Sequence, residues 1–327
     1  MALLRRCSFI VTALLGGVVL LLQSSGPLSG SEVSKRGALR ADQPPLAAFL
    51  AGDQGHVAVQ FLTKKYKGWF VAETTNFRFY HNQPHKLVQK IADIAERTRL
   101  TMAYKWFGEA PDDWDPKCQI FLHSNRAGYT LETKDGGKSE GCTLVRLDGL
   151  EVDSRRIHLH CDADNLLDEI VPHEVTHAVM GGNFGSHQTP RWADEGMAIL
   201  SQPRDSIAHY QRLLRLFRSR HDLFSVDVLM QTEDIKEQNT LEFYCQSESL
   251  VEFLVTLRGP QVFTRFLWDS FKTNYEKALQ KHYGIASFND LDTQWRAYAF
   301  DQGLPPANFA WLPTRPGGSP VCEIGNH

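Results

Sequence analysis

A His-Glu-x-x-His segment carries the clearest chemical signal in the sequence. It comprises His173, Glu174 and His177, within the apolar run 170–180. On a helix, residues four apart lie on one face, so both imidazoles can bind the same metal ion. Glu174 lies about 100° around the helix and can act on a water molecule as a general base. This arrangement predicts the site of a zinc-dependent hydrolase.

The residues around this motif favour a metal site over a chance match. Chance alone produces the motif in roughly a few per cent of chains of this length. The flanking positions are apolar, namely Ile170, Val171, Val175 and Val179. They predict a buried helix, in which two imidazoles and a carboxylate are costly unless they share a partner. Pro172 predicts that the helix begins close to it or bends there.

A catalytic zinc site needs a third protein ligand and an open fourth position. The candidates are His187, Asp194 and Glu195. Apolar residues share the Glu195 side of the predicted helix, which makes Glu195 the inward carboxylate and the expected third ligand. Asp194 is expected behind the ligands or on the surface, and His187 in a loop. The metzincin class is excluded, because Met180 and Asn183 stand where its glycine and third histidine belong.

The helix that carries Glu195 is predicted over residues 190–201. Thr189 is a residue type that caps helix N-termini, and Pro190 suits the first turn. We therefore expect Thr189 to be the N-cap.

Two segments together resemble a known family. His173-Glu-Val-Thr-His177 and Pro190-Arg-Trp-Ala-Asp-Glu195-Gly-Met-Ala198 are similar to the gluzincin-type metallopeptidases of the peptidase MA group. In particular they resemble its exported bacterial peptidase-MA-like branch, with a Trp-x-x-Glu-Gly-x-Ala helix. The resemblance implies one zinc ion per chain held by His173, His177 and Glu195. It also implies Glu174 as general base and a peptide or protein as substrate.

Peptide hydrolysis also needs a donor for the developing oxyanion. Gluzincins often take a Tyr or His from a later helix, and this resemblance makes Tyr244 the candidate. The alternative is that Tyr244 packs in the core with a locally bonded hydroxyl. Arg191 and His187 are weaker candidates for the same role.

The order of predicted elements indicates an α+β fold. Strands come first and helices afterwards, which favours α+β over a doubly wound parallel sheet. The resemblance implies a zincin-like fold, with a small mixed sheet followed by a helical C-terminal part. Strands are predicted over 76–80, 118–123, 142–147 and 156–161. Helices are predicted over 84–107, 166–180, 190–201, 204–219, 240–257, 261–271, 274–283 and 288–302.

Composition shifts divide the chain into five parts. Residues 1–26 match a secretory signal peptide, although an uncleaved signal-anchor stays open. A linker with one short helix near Pro45 is expected over 27–68. The N-terminal α/β part is expected over 69–165 and the helical zinc-site part over 166–302. An irregular tail is expected over 303–327. Export to the periplasm, cell envelope or outside the cell follows from the signal.

The charge balance and the cysteine content limit the partners. The 327 residues carry 35 Lys and Arg against 38 Asp and Glu, which argues against a nucleic-acid partner. A membrane contact is expected only if the N-terminal signal is not cleaved.

Cys7 lies in that signal, which leaves five of the six cysteines. They allow at most two disulfides, and buried thiols are an equal alternative. No pattern indicates an oligomeric state.

Two histidines alternate along one predicted strand. His158 and His160 point to the same side of the strand 156–161. A solvated strand face is the expected setting. The alternative is an edge strand beside the cleft, where an extended substrate could add as another strand.

The sequence therefore predicts an exported zinc metallopeptidase. Two alternatives stay open. One is a non-catalytic cell-envelope binding or structural module that retains a zinc site, in which side chains would close the cleft. The other is a zinc amidase that acts on a non-protein amide.

Overall fold

A computed structural model describes residues 55–134 and 139–301. The predictions for the signal peptide, for the helix near Pro45 and for the tail over 303–327 lie outside these residues.

A six-stranded mixed sheet forms the N-terminal part. Its strands are β1 (Gln60–Tyr66), β2 (Trp69–Glu73), β3 (Phe77–His81), β4 (Cys118–His123), β5 (Gly141–Asp148) and β6 (Glu151–His160). They lie in the order β1-β2-β3-β4-β6-β5. The β3–β4 and β4–β6 pairs are parallel, and the other pairs are antiparallel. All four predicted strands are confirmed.

Ten α-helices accompany the sheet in the described residues. They are α1 (His85–Phe107), α2 (Arg126–Thr133), α3 (Val171–Met180), α4 (Arg191–Ile199), α5 (Arg204–Arg220), α6 (Val226–Gln231), α7 (Thr240–Arg258), α8 (Pro260–Lys272), α9 (Tyr275–Tyr283) and α10 (Phe288–Arg296). A short π-helical turn, Leu166–Ile170, precedes α3, and a second one, Ala297–Asp301, follows α10. The α+β fold class is confirmed.

Two strands and two helices were not predicted, and one of them is β2, which lies at the start of the expected N-terminal part. Strand β1 lies inside the segment expected to be a linker, so that prediction is wrong for residues 60–66. Among the described strands it pairs with β2 alone, and most of its residues are exposed. Backbone hydrogen bonds therefore hold it in the sheet, and its sequence shows no apolar pattern. Helices α2 and α6 have 8 and 6 residues, and each buries too few side chains to show a helical period.

The core lies between the sheet and the helices that cover one of its faces. Ile120 and Leu122 of β4, with Ile157 and Leu159 of β6, point to this side and are fully buried. Helices α1 and α3 pack against each other there. Helix α7 is buried along most of its length and contacts α4, α5 and α8. The two halves therefore share one apolar core.

Prolines set the starts of α3 and α4. Pro172 lies in the first turn of α3, where its missing N–H needs no helical partner. The helix does begin close to Pro172, as predicted. Helix α4 begins at Arg191, with Pro190 in the N-cap position and no side-chain cap. The prediction of Thr189 as N-cap is wrong, because Thr189 lies one residue too early.

The two strand histidines lie neither on a solvated face nor on an edge strand. His158 and His160 are buried, and β6 pairs with β4 on one side and β5 on the other. His158 Nδ1 lies 3.1 Å from His123 Nε2, and His160 Nδ1 lies 2.6 Å from Asp162 Oδ1. Helix α2 packs over this face, with Tyr129 against His160. Both expectations are therefore wrong, since they depended on strand order and on a helix that was not predicted.

The cysteines fit the buried-thiol alternative where they are described. Cys118, Cys161 and Cys245 form no disulfide within residues 55–134 and 139–301. Burial raises the pKa of the Cys161 thiol to about 12. Such thiols remain protonated and unreactive near neutral pH.

None of the helices in the described part of the chain combines the length and the hydrophobicity that a membrane span requires.

Candidate metal centre

Helices α3 and α4 bring three potential ligand atoms together. His173 Nε2 and His177 Nε2 lie 3.1 Å apart. Glu195 Oε2 lies 3.5 Å from the first nitrogen and 3.6 Å from the second. The ligand atoms of a tetrahedral zinc ion, bound at 2.0–2.1 Å, are about 3.3 Å apart. The triangle therefore has the size that one zinc ion requires.

The Glu195 carboxylate lacks the partners that its burial requires. The side chain is fully buried, and neither oxygen accepts a hydrogen bond from another described residue. Burial opposes ionisation, but His173 and His177 outweigh it and hold the pKa of Glu195 well below its ordinary value. A buried ionised carboxylate without hydrogen bonds is costly unless a cation binds it. This observation fits a metal ligand.

Asp194 lies behind one of the imidazoles. Its Oδ2 is 2.9 Å from His177 Nδ1, and both side chains are buried. A carboxylate in this place orients the ring and leaves Nε2 directed at the ligand triangle. Burial alone would lower the pKa of His177, but Asp194 and Glu195 raise it to about 10. The cluster therefore favours a positive charge at its centre.

Gln202 lies behind the other imidazole, and sequence reasoning did not find it. The Gln202 side-chain amide approaches His173 Nδ1 to 2.9 Å. Gln202 follows α4 in the polar segment Ser201-Gln-Pro-Arg-Asp205 and belongs to no motif, so no signal in the sequence pointed to it. Each histidine thus has one nitrogen in the triangle and the other 2.9 Å from a second side chain.

Glu174 lies beside the ligands and packs on strand β5. The Thr143 hydroxyl lies 2.5 Å from Glu174 Oε2, while Oε1 is buried without a partner among the described residues. A Cβ at Gly141 would stand 2.6 Å from Oε1. Burial raises the pKa of Glu174 above its ordinary value. Thr143 therefore fixes one carboxylate oxygen of Glu174 and leaves the other without a hydrogen-bond partner among the described residues.

Helix α7 crosses α4 closely on the far side of Glu195. A Cβ at Gly196 would stand 2.5 Å from the carbonyl oxygen of Ser247, so the crossing requires a glycine. Tyr244 lies one turn earlier on α7 and is 1% exposed. Its assignment as the oxyanion donor stays a prediction.

The two weaker candidates for the oxyanion donor, His187 and Arg191, lie at different places. His187 is exposed and stacks on Phe271, with ring centroids 4.6 Å apart. It is not part of the ligand group formed by the described residues. Arg191 lies in the first turn of α4, and its charge helps to lower the pKa of Glu195.

No protein-family model matches the chain, and no curated protein matches it. The resemblance to gluzincins rests on the two motifs alone.

Proposed function

We propose that this protein is a zinc-dependent metallopeptidase of gluzincin type. The observation that carries the proposal is the triangle of His173 Nε2, His177 Nε2 and Glu195 Oε2. Its sides fit a tetrahedral zinc ion, and its three members are the residues that the two motifs single out. A zinc ion, when bound, supplies a Lewis acid that polarises a carbonyl and lowers the pKa of water.

The protein's own contribution to catalysis centres on Glu174. Its Oε1 accepts a proton from the attacking water and then delivers it to the leaving amine nitrogen. Thr143 holds Oε2, so the carboxylate keeps one orientation during both transfers. Asp194 and Gln202 fix the two imidazole rings.

Strand β5 offers a place for an extended peptide. It lies at the end of the described sheet and pairs with β6 alone. Thr143 of this strand touches Glu174, so a peptide added to the outer edge of β5 would lie near the base. An exported enzyme that acts on peptides or proteins is consistent with the signal-like sequence over 1–26.

One observation favours a second candidate, a non-catalytic cell-envelope module that retains the zinc. His173, Glu174, His177 and Glu195 are each no more than 1% exposed. A structural zinc site is closed, whereas a catalytic site keeps a position open for water and substrate. The two candidates differ in turnover and not in metal content.

The decisive experiment measures bound metal and hydrolysis on the same preparations. The purified protein is expected to contain one zinc ion per chain. Glu195→Ala is expected to lose it, while Glu174→Gln is expected to keep it. Wild type without zinc under zinc-replete conditions would exclude both candidates.

Hydrolysis then separates the two candidates. The metallopeptidase is expected to cleave members of a peptide library, and Glu174→Gln is expected to abolish this cleavage. The non-catalytic module would be favoured if Glu174→Gln keeps its zinc and the wild type cleaves no peptide.

A further inference from the structure

Two buried arginines lie against one indole ring, outside the metal centre. Arg99 comes from α1 and is 4% exposed, and Arg155 comes from β6 and is 8% exposed. Their guanidinium carbons lie 5.0 Å and 4.5 Å from the centroid of the Trp114 ring. Two cationic groups are therefore held together at a single aromatic side chain.

Trp114 is a fixed support for these two groups. Its backbone N–H donates to Asn76 Oδ1 at 2.8 Å, and its ring packs edge-on against Phe77 at 5.3 Å. Glu96 in turn accepts a hydrogen bond from the Asn76 side chain. The indole therefore has supporting contacts besides those with the two arginines.

The two arginines lack the carboxylate partner that buried guanidinium groups usually have. Within residues 55–134 and 139–301, neither forms an ion pair with an acidic side chain. Arg99 donates to the backbone carbonyl of Asp112. Arg155 Nε is buried, and no described residue accepts its hydrogen. Burial of a charged group without a partner is costly.

The charges around the two side chains differ. Glu96, Asp112 and Asp113 lie close enough to Arg99 to stabilise its positive charge. Among the ionisable groups of the described residues, Arg99, which has the same charge, and Cys118 act on the pKa of Arg155. Burial raises the pKa of the Cys118 thiol, so it stays neutral. Arg155 is therefore the group that an anion would stabilise most.

We propose that Arg155, Arg99 and Trp114 form a binding site for an oxyanion, the carboxylate or phosphate group of a small ligand. A guanidinium presents a planar set of N–H donors that matches both groups. Nε of Arg155 supplies one such donor, and the anion supplies a negative charge next to Arg155, which forms no ion pair with an acidic side chain of the described residues. The site is independent of the metal centre.

Thermal unfolding of the full chain tests the proposal. Sodium phosphate, sodium sulfate or sodium acetate replaces sodium chloride at constant ionic strength. Wild type is expected to show a saturable rise in Tm of about 5 °C or more with at least one of these anions. A response to phosphate and sulfate alone would assign a phosphate-type ligand, and a response to acetate alone a carboxylate.

Matched variants locate the effect. Arg155→Leu is expected to lose the rise in Tm, and without the anion it is expected to be no less stable than wild type. Arg156→Leu, an exposed neighbour on the same strand, is expected to keep the rise. If Arg155→Leu does not fold, Arg155→Lys tests the same point, with an expected loss of affinity of about tenfold or more.

Three results would overturn the proposal. One is the absence of any rise in the Tm of wild type relative to sodium chloride, and another is a rise that does not saturate with anion concentration. The third is an undiminished rise in Arg155→Leu or, failing that variant, unchanged affinity in Arg155→Lys. Anion binding at the metal centre would give this third result, so the two sites are distinguished.

Discussion

Gly196 lies directly against the backbone of Ser247, and a Cβ at position 196 would stand 2.5 Å from the Ser247 carbonyl oxygen. Helix α7 therefore supports α4 immediately beside Glu195. The position of the third ligand depends on this helix crossing as well as on α4 itself.

Replacing Gly196 by alanine should destabilise the protein and weaken metal binding. The added methyl group meets backbone, which cannot move aside as a flexible side chain can. Overpacking of this kind costs about 1–3 kcal/mol. Urea unfolding of the metal-free protein measures the free energy, and zinc titration measures the affinity.

Gly128→Ala is the matched control. Its Cβ would have its nearest neighbour at 3.6 Å, and Gly128 also lies in a helix, α2. Alanine there should be neutral or stabilising, by up to about 1 kcal/mol. Equal effects of the two substitutions would contradict a specific role for the α4–α7 crossing.

Gln202→Leu should reduce zinc affinity about 10- to 100-fold, because the imidazole of His173 loses the group that orients it. Because Nε2 of His173 lies in the ligand triangle, its Nδ1 carries the hydrogen. The Gln202 amide must therefore present its oxygen to His173 Nδ1. Competition with a chelator measures the affinity. Gln231→Leu, at an exposed glutamine of α6, should have no effect. Unchanged affinity in Gln202→Leu would show that the amide does not hold the ring.

Thr143→Val should retain zinc and lower the rate of hydrolysis. The substitution removes the hydroxyl that lies 2.5 Å from Glu174 Oε2 but preserves the shape of the side chain. A hydrogen bond to a charged group is worth about 1.5–3 kcal/mol, or about 10- to 100-fold in rate. Metal analysis and peptide cleavage measure the two properties. Thr133→Val, at a buried hydroxyl that bonds within α2, is the control and should leave the rate unchanged.

Glu248→Gln should stabilise the protein at alkaline pH more than at acidic pH. Both Glu248 oxygens are buried without a hydrogen-bond partner in the described residues. Burial and the nearby Glu252 raise the pKa of Glu248 well above its ordinary value of 4.5. The folded carboxyl therefore keeps its proton at pH values where the unfolded chain has released it.

The direction of the pH effect follows from the raised pKa. The stability that Glu248 contributes is fully present below pH 4.5 and is lost as the pH rises through the raised value. Each unit of increase corresponds to about 1.4 kcal/mol. Urea unfolding at pH 4 and pH 8 should show the gain of Glu248→Gln mainly at pH 8. The exposed Glu233→Gln should show no such difference, and a gain that is equal at both pH values would contradict the prediction.

Local patterns were sufficient to predict much of this molecule from its sequence. The apolar pattern around His173 and the apolar side of α4 are formed by residues that lie close together in the sequence. His173, His177 and Glu195 could be named for that reason. Helix α1, with its regular buried positions, was predictable on the same grounds.

The remaining contacts depend on chain segments that are far apart. Thr143 meets Glu174 across 31 positions, and Gln202 meets His173 across 29. Neither pair leaves a period or a motif in the sequence. The burial of His158 likewise depends on strand order and on α2, which local patterns do not encode.

The end of helix α3 has a consequence for how the molecule opens. A Cβ at Gly181 would stand 2.6 Å from Val145, and one at Gly182 would stand 2.2 Å from Val152. The β5–β6 hairpin thus closes tightly on the helix that carries both histidines. Loss of the hairpin would expose the helix end, so the two should exchange their amide hydrogens as one cooperative unit.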